Sequence, residues 1–380
     1  MPTNLQQRRA IRIIPVPHRL KSSEAKPVLP LDPPHFRRAL HHWYKHAARP
    51  LPWRNIADPY RTWVSEVMLQ QTRVNAVIDH YHRFLAKFPT ILALALAPEP
   101  EVLAAWSGLG YYRRARMLHK AAQFITKELN GILPPTSTQL RELPGIGTYT
   151  SAAIASIAFG ESIAVLDGNV ERTLLRITGQ PQQKTAAASA FLHATAQSLV
   201  PHRRFVPAKK QNAAGDHNQA MMELGATLCL PRAPLCLACP VFDFCRTRGE
   251  HLTAPATKMR SREVAYLLAL RKRGTTTEVL LHHRPAAASL MPNMYELPEL
   301  PLTAIKKNKS ILSLRHSITN TNYYVQVFPT TRTLRRTLPH APETLTWHRT
   351  SRLAELPLTG LARKSLQRLT VMQVAPLQIP

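Results

Sequence analysis

From residue 31 to about 160 the apolar positions recur at helical spacing. Val74, Val77, Ile78, Tyr81, Phe84, Leu85 and Phe88 fall on one face of a helix that must stop before Pro89. A second helix fits 98–107, opened by Pro98 and closed before Gly108. Residues 112–129 and 148–159 follow the same period, with a short helix over 138–142. The pattern predicts an all-α domain with short loops, extending over residues 31–250. Beyond it the period changes. HLTAPATKMRSR at 251–262 has the composition of a linker, whereas VAYLLAL (264–270), EVLLHHR (278–284) and NYYVQVF (322–328) have strand character between Gly, Pro and Asn signals. A smaller mixed α/β domain is therefore expected over 263–370. Residues 1–30 hold Pro15, Pro17, Pro27 and Pro30 with little periodicity and are expected to form a disordered tail.

Charge adds a partner to this picture. The 380 residues carry 50 Lys and Arg against 22 Asp and Glu, a formal net charge of +28. Such an excess repels itself, and a polyanionic partner is its simplest compensation; a basic protein with no nucleic-acid role is the competing reading. A membrane surface is disfavoured by the lack of a basic amphipathic helix. No apolar run approaches the ~18 residues of a membrane span, and Arg8, Arg9 and Arg12 are not followed by the apolar stretch of a secretory signal. An intracellular location is expected. All four cysteines fall between residues 229 and 245, where a secreted disulfide framework would spread them out; the clustering points to metal.

Four local signals carry candidate chemistry, one of them the separated pair of carboxylates Glu66 and Asp167. Cys229-x6-Cys236-x2-Cys239-x5-Cys245 can close four thiolates around an iron–sulfur cluster or a structural zinc. One close pair with two wider gaps leans towards a cluster, and either centre would be structural. Leu143-Pro144-Gly145-Ile146-Gly147 lies between the short helix and the longer apolar one. There Gly145 and Gly147 allow a tight turn that presents bare N–H groups to a phosphate; a plain helix–helix turn is the alternative. Glu66, inside the apolar WVSEVMLQQT (63–72), would have a raised pKa and serve as a proton donor unless it is simply exposed. Asp167, in VLDGNV (165–170), precedes a helix and is either a second functional carboxylate or an N-cap. Finally, GLGYYRR (108–114) sets aromatics beside arginines, suiting base stacking next to phosphates, or tyrosines packed at a helix start.

Taken in order, LPWR (51–54), SEVMLQQTRV (65–74), GLGYYRRAR (108–116), LPGIGTYT (143–150), VLDGNV (165–170), NQAMMELGA (218–226) and the four cysteines resemble the helix–hairpin–helix DNA glycosylases. Within that superfamily they resemble the MutY adenine glycosylases, over roughly residues 35–250. The resemblance implies a mainly α helix–hairpin–helix domain, with one [4Fe–4S] cluster on Cys229, Cys236, Cys239 and Cys245. It also implies a monomer, cytoplasmic if bacterial, acting on duplex DNA with adenine opposite 8-oxoguanine or guanine. Glu66 then resembles the acid that protonates the flipped adenine at N7 and helps to activate water. Asp167 resembles the carboxylate that stabilises the oxocarbenium-like sugar. Tyr149 and Asn169 match residues that support the two carboxylates. Trp53, Arg54 and Glu223 match the adenine pocket, and Gln71 and Tyr111 match residues that enter the duplex. Gly145 and Gly147 match the hairpin that holds the DNA backbone.

Tyr149 stands where lyase relatives carry a Schiff-base lysine, so base removal without efficient strand cleavage is expected. The C-terminal part resembles a MutT/Nudix-like domain through LLHHRP (280–285) and MYELP (294–298), without the glutamate-rich hydrolase motif. Its lesion-sensing Phe-Ser-His is replaced by Ile318, Thr319 and Asn320, which follow Leu314-Arg315-His316-Ser317. Thr319 would keep the hydroxyl, and Asn320 would replace some of the histidine's polar contacts. Arg203 to Gln211 reads as an inserted basic loop. The rival readings are a thymine- or uracil-mismatch glycosylase, an endonuclease III-like lyase, or a non-catalytic damage-binding protein. Tyr149 opposes the lyase, and Glu66 together with Asp167 opposes the pure binder.

Overall fold

The computed structural model describes residues 32–56, 58–202, 212–251, 259–306, 308–318 and 320–372. The expected tail (1–30), the inserted basic loop (203–211), most of the linker (252–258) and Thr319 lie outside the described residues. Helices α1 (Pro33–Ala47), α2 (Pro59–Leu69), α3 (Val74–Lys87), α4 (Ile91–Leu96), α5 (Glu99–Trp106) and α6 (Arg113–Glu128) form the first part of the chain. The short α7 (Ser137–Leu140), then α8 (Thr148–Phe159), α9 (Gly168–Thr178), α10 (Ala186–Leu199) and α11 (Ala213–Thr227) follow. Their starts are written in the sequence. Asp32, Asp58, Thr90, Thr136, Thr185 and Asn212 each occupy an N-cap and accept a backbone N–H three residues on. Gly160 and Gly179, both with φ near 70°, close α8 and α9 in the left-handed conformation.

Two cores hold these helices. Trp63, Tyr81, Phe84, Leu103, Trp106 and Leu118 build one from α2, α3, α5 and α6. Phe36, Leu40, Leu174, Leu199 and Leu224 build the other from α1 and α9–α11. Helix α8 joins them, packing against both α2 and α11. Its Ser151, Ala152, Ala153, Ala155, Ser156 and Ala158 are all buried, and such small side chains let both neighbours approach closely.

The second domain is sheet-rich. It comprises β1 (Arg260–Leu268), β2 (Leu270–Arg273), β3 (Thr276–His283), β4 (Tyr295–Glu296), β5 (Glu299–Leu300), β6 (Leu312–Ile318), β7 (Thr321–Pro329), α12 (Arg332–Arg336), β8 (Leu345–Arg349) and α13 (Gly360–Arg368). One sheet has the order β5-β1-β7-β6, with β1 and β7 parallel; the other has β2-β3-β4, with β8 paired to β3. Two details differ from the sequence reading. The strand begins at Arg260, inside the stretch read as linker, because Arg260–Glu263 pair with Thr321–Tyr324 in the parallel ladder. VAYLLAL is also not one strand: the chain leaves β1 after Leu268 and resumes in the other sheet at Leu270.

The domains meet around residues 107–116. Ser107 Oγ and the Tyr112 hydroxyl both donate to the Leu358 carbonyl, each at 2.9 Å, and Arg363 Nε donates to Ser107 Oγ at 2.7 Å. Arg116 Nη2 donates to the Pro292 carbonyl at 2.5 Å. Met294, fully buried, enters the helical core itself. Among the described residues no helix is long and apolar enough to cross a membrane.

Met294→Ala is expected to destabilise the protein by about 2–4 kcal/mol, the usual cost of emptying a buried site. Because that site is shared, calorimetry should then show the two domains unfolding in separate transitions; a single unshifted transition would contradict the shared core.

Candidate active site

Glu66 lies on the inner face of α2, where Trp63, Ser65, Val67 and Met68 are also buried, and is itself only 4% exposed. Tyr149, in the first turn of α8, donates its hydroxyl to Glu66 Oε2 at 2.6 Å. Burial pushes the Glu66 carboxyl up against the lowering effect of that hydrogen bond, with Asp167 nearby adding to the rise, and leaves it at about 7. Burial next to these acids holds Tyr149 well above its ordinary value, so it remains a donor. Asp167 caps α9: Oδ1 accepts from the Val170 N–H at 2.7 Å and Oδ2 from Asn169 Nδ2 at 3.1 Å. The capping role weighed against a functional one is thus real, but it uses one oxygen and orients the other. Asp167, Asn169 and Tyr149 line one side of a cleft of about 1120 Å³.

Gln71, Tyr111, Gly145 and Gly147 line the same cleft. Gln71 (φ 55°) and Tyr111 (φ 48°) both take the left-handed backbone that side chains other than glycine, Asn and Asp rarely adopt, and Tyr111 is 43% exposed. Gly145 needs its φ of 75°, and a Cβ there would overlap the Met117 side chain. Gly147 is different. Its φ of −91° suits any residue and its surroundings are open, so the expected double-glycine requirement rests on Gly145 alone. What Gly147 provides is an N-cap without a side chain, leaving the start of α8 bare towards the cleft, where Thr148–Thr150 line the wall.

The residues matched to an adenine pocket sit elsewhere. Trp53 is core, edge-on to Tyr81 at 5.4 Å. Glu223, its side chain fully buried on α11, accepts from Arg49 N (3.1 Å), Nε (2.8 Å) and Nη2 (2.7 Å), and from Arg54 Nη2 (2.6 Å). Burial opposes its ionisation, but these hydrogen bonds outweigh it and hold the carboxyl at about 2. None of the three is among the residues lining the cleft. Ile318 and Asn320 flank the tip of the β6–β7 hairpin, where Ile318 pairs with Thr321.

The four cysteines are free thiols around one small cavity of about 30 Å³, also lined by Thr173, Arg176 and Ile177 of α9 and Leu224 of α11. Arg176, 2% exposed, donates to Cys229 Sγ at 3.3 Å and to the carbonyls of Leu230 (2.6 Å) and Pro231 (2.9 Å). Among the described residues no three His, Cys, Asp or Glu side chains converge closely enough to hold a single metal ion. Sequence reasoning missed two arginines here, and a third, Arg114 of GLGYYRR, which it set next to phosphates, turns onto backbone carbonyls instead. Arg49 holds Glu223. Arg172 joins Asn169 Oδ1 (3.1 Å) to the carbonyls of Gly225 (2.6 Å) and Cys229 (2.9 Å). Arg114 spans α2 and the loop before α6. Besides any near neighbours, each bonds to partners 44 or more residues away, which no local spacing announces.

Two substitutions check this geometry. Below the unfolded pKa, Glu66 is neutral in both states; as pH rises towards 7 the unfolded chain ionises first and stability is lost. Glu66→Gln should therefore match the parent near pH 4.5 and exceed it by about 3 kcal/mol at pH 8, read from denaturant titrations. Gly145→Ala should cost about 2–3 kcal/mol in the same titrations, since the hairpin must open to admit the methyl group.

Residues 64–202 match the model of the HhH-GPD superfamily base excision DNA repair protein. The adenine DNA glycosylase of Homo sapiens is 46% identical over 223 residues, which are 56% of this chain and 39% of that protein. That of Buchnera aphidicola is 37% identical over 213 residues, 56% of this chain and 58% of the relative. The Mycobacterium tuberculosis protein of the same name is 38% identical over 207 residues, 54% of this chain and 65% of that one. The chain thus spans 39% to 65% of the length of these relatives. The solved structure of a thermostable thymine-DNA glycosylase covers 57% of this chain and 96% of its own, with a TM-score of 0.51 and 26% identity. The chain that carries the helix–hairpin–helix α7–turn–α8 and the cleft beside it is thus similar, over residues 64–202, to the HhH-GPD superfamily of base excision DNA repair proteins and, over 207 to 223 residues, to adenine DNA glycosylases.

Proposed function

We propose that this chain is a base-excision-repair glycosylase that hydrolyses the N-glycosidic bond of adenine mispaired with 8-oxoguanine or guanine in duplex DNA. The observation that carries the reading is Glu66, buried, tied to Tyr149 and held near neutrality, beside a cleft that presents Asp167. The relatives named adenine DNA glycosylase support the choice of base, and at 46% identity the human protein outweighs the thymine-DNA glycosylase at 26%.

The two acids sit in opposite surroundings. Glu66 is kept protonated by dehydration and can donate to N7 of an adenine extruded into the cleft, making the base a better leaving group. Asp167 stands at the N-terminus of α9, where the helix dipole favours negative charge, and its carboxylate faces the positive charge that develops on the sugar. Divergent environments of this kind separate acid from charge stabiliser. Tyr149 offers no amine, so no imine forms with the abasic sugar and strand cleavage is not efficient.

The four thiols suit a [4Fe–4S] cluster, because all are free, all border one cavity and Arg176 places positive charge against it. Bound there, the cluster would cross-link residues 229–245 to one another through the four thiolates, closing them into one rigid loop that packs beside α9 and α11. The hairpin with Ile318, Thr319 and Asn320 is the proposed reader of the opposite base in a monomeric complex. Thr319 lies outside the described residues.

Single-turnover adenine release from duplexes with A opposite 8-oxoguanine, G or T tests the reading. Release should be fastest opposite 8-oxoguanine, fall by about 10²–10⁴-fold in Glu66→Gln, and produce strand breaks only after alkali. The rate should decline as pH rises through about 7, where Glu66 loses its proton. No release from any of these duplexes by folded protein would sink the proposal. Iron and sulfide analysis should find ~4 irons per chain, lost in Cys239→Ala together with thermal stability.

A further inference from the structure

Arg114 is the second residue of α6, and its guanidinium turns into the seam between α2 and the loop before α6. Nη1 donates to the carbonyls of Val67 (2.7 Å), Met68 (2.9 Å) and Gln70 (2.5 Å). Nη2 donates to Thr72 Oγ1 (3.0 Å) and to the carbonyls of Leu109 (3.3 Å) and Gly110 (3.2 Å). The first group consists of carbonyls at the end of α2, where helical partners run out and a cation is favoured. Satisfying them needs contact with one segment only. Arg114 contacts two.

What lies between its contacts is more telling. Gln71 is flanked by Gln70 and Thr72, both bonded to the guanidinium. Tyr111 follows Gly110, and its ring lies 5.4 Å from the guanidinium carbon. Gln71 and Tyr111 are the two left-handed side chains that line the cleft. Each such residue costs of order 1–3 kcal/mol and persists only where its surroundings over-determine it. The far side of the Tyr111 loop is equally fixed, since Ser107 and Tyr112 bond to Leu358 of the second domain.

We infer that Arg114 is a positioning residue that sets the separation of Gln71 and Tyr111, so that both enter a duplex as one rigid wedge while the target base leaves the stack. This rests on the glycosylase reading and deepens it, assigning base opening to a side chain bonded to neither acid.

The test uses the full chain with Arg114→Met, which removes the cation and the fork, and Arg114→Lys, which keeps the cation alone. In a Glu66→Gln background, 2-aminopurine beside the target adenine reports unstacking on binding without chemistry. Its fluorescence gain should fall several-fold in Arg114→Met and partly in Arg114→Lys, while affinity for undamaged duplex stays within about twofold. With Glu66 present, adenine release should drop about 10–100-fold from a paired duplex, the range that small misplacements produce. From a duplex in which the adenine faces an abasic site, and opening is already cheap, it should drop no more than about threefold. Adding Gln71→Ala to Arg114→Met should cost little more, as expected of coupled residues.

Equal losses on both duplexes would overturn the inference, since they would mean that α2 and Glu66 have moved. So would undiminished unstacking in folded Arg114→Met; if that variant does not fold, Arg114→Lys decides by the same comparison. A 2-aminopurine response in the parent without adenine release would instead defeat the glycosylase reading and leave the wedge standing.

Discussion

Dehydration of one carboxyl, Glu66, is the constraint around which the helical domain is arranged. A glutamate buried between two helices costs about 3 kcal/mol of stability at neutral pH, on the scale set by its shift to about 7. The packing that imposes this cost depends on α8, whose run of Ser and Ala lets α2 and α11 close on either side. Larger side chains there would separate the helices and admit water. The Tyr149 hydroxyl satisfies one carboxyl oxygen without supplying charge, and so keeps the acid oriented and still able to hold its proton.

The opposite solution appears on α11. Glu223 is as deeply buried, yet Arg49 and Arg54 surround it and the carboxylate stays ionised. Such a network costs dehydration of three charges and returns geometry more than stability. It ties the loop before α2 to α11. Two glutamates in one fold thus differ because one meets guanidinium groups and the other a phenol.

Strain gathers at the cleft in the same controlled way. Gln71, Tyr111 and Gly145 each have positive φ, and each is held by something rigid: Arg114 for the first two, the Met117 side chain behind the third. The loop bearing Tyr111 also carries the main polar contacts to the sheet-rich domain. One short segment therefore belongs at once to the cleft wall, the α2 terminus and the domain seam. A change in any of the three is felt at Tyr111.

Much of this was legible in the chain itself. The 3.6-residue period over 74–88 and Pro89 as a stop depend on neighbours close in the chain, and the helices over 74–88, 98–107, 112–129 and 148–159 formed where that period placed them. The mainly α domain followed by a smaller sheet-rich one was readable for the same reason. The apolar neighbours of Glu66 within α2 were visible too, although its dehydration is completed only when α8 packs against that helix. What the sequence left open required partners far along the chain. Arg260–Glu263 became strand only through Thr321–Tyr324, Trp53 went to the core through Tyr81, and Gly147 proved free of the turn that Gly145 alone makes. Arg49, Arg114 and Arg172 acquired their roles from carbonyls and carboxylates between 44 and 174 residues distant. Local periodicity and capping are short-range physics and can be read in order; burial of charge and the satisfaction of stray carbonyls are settled only when distant segments pack.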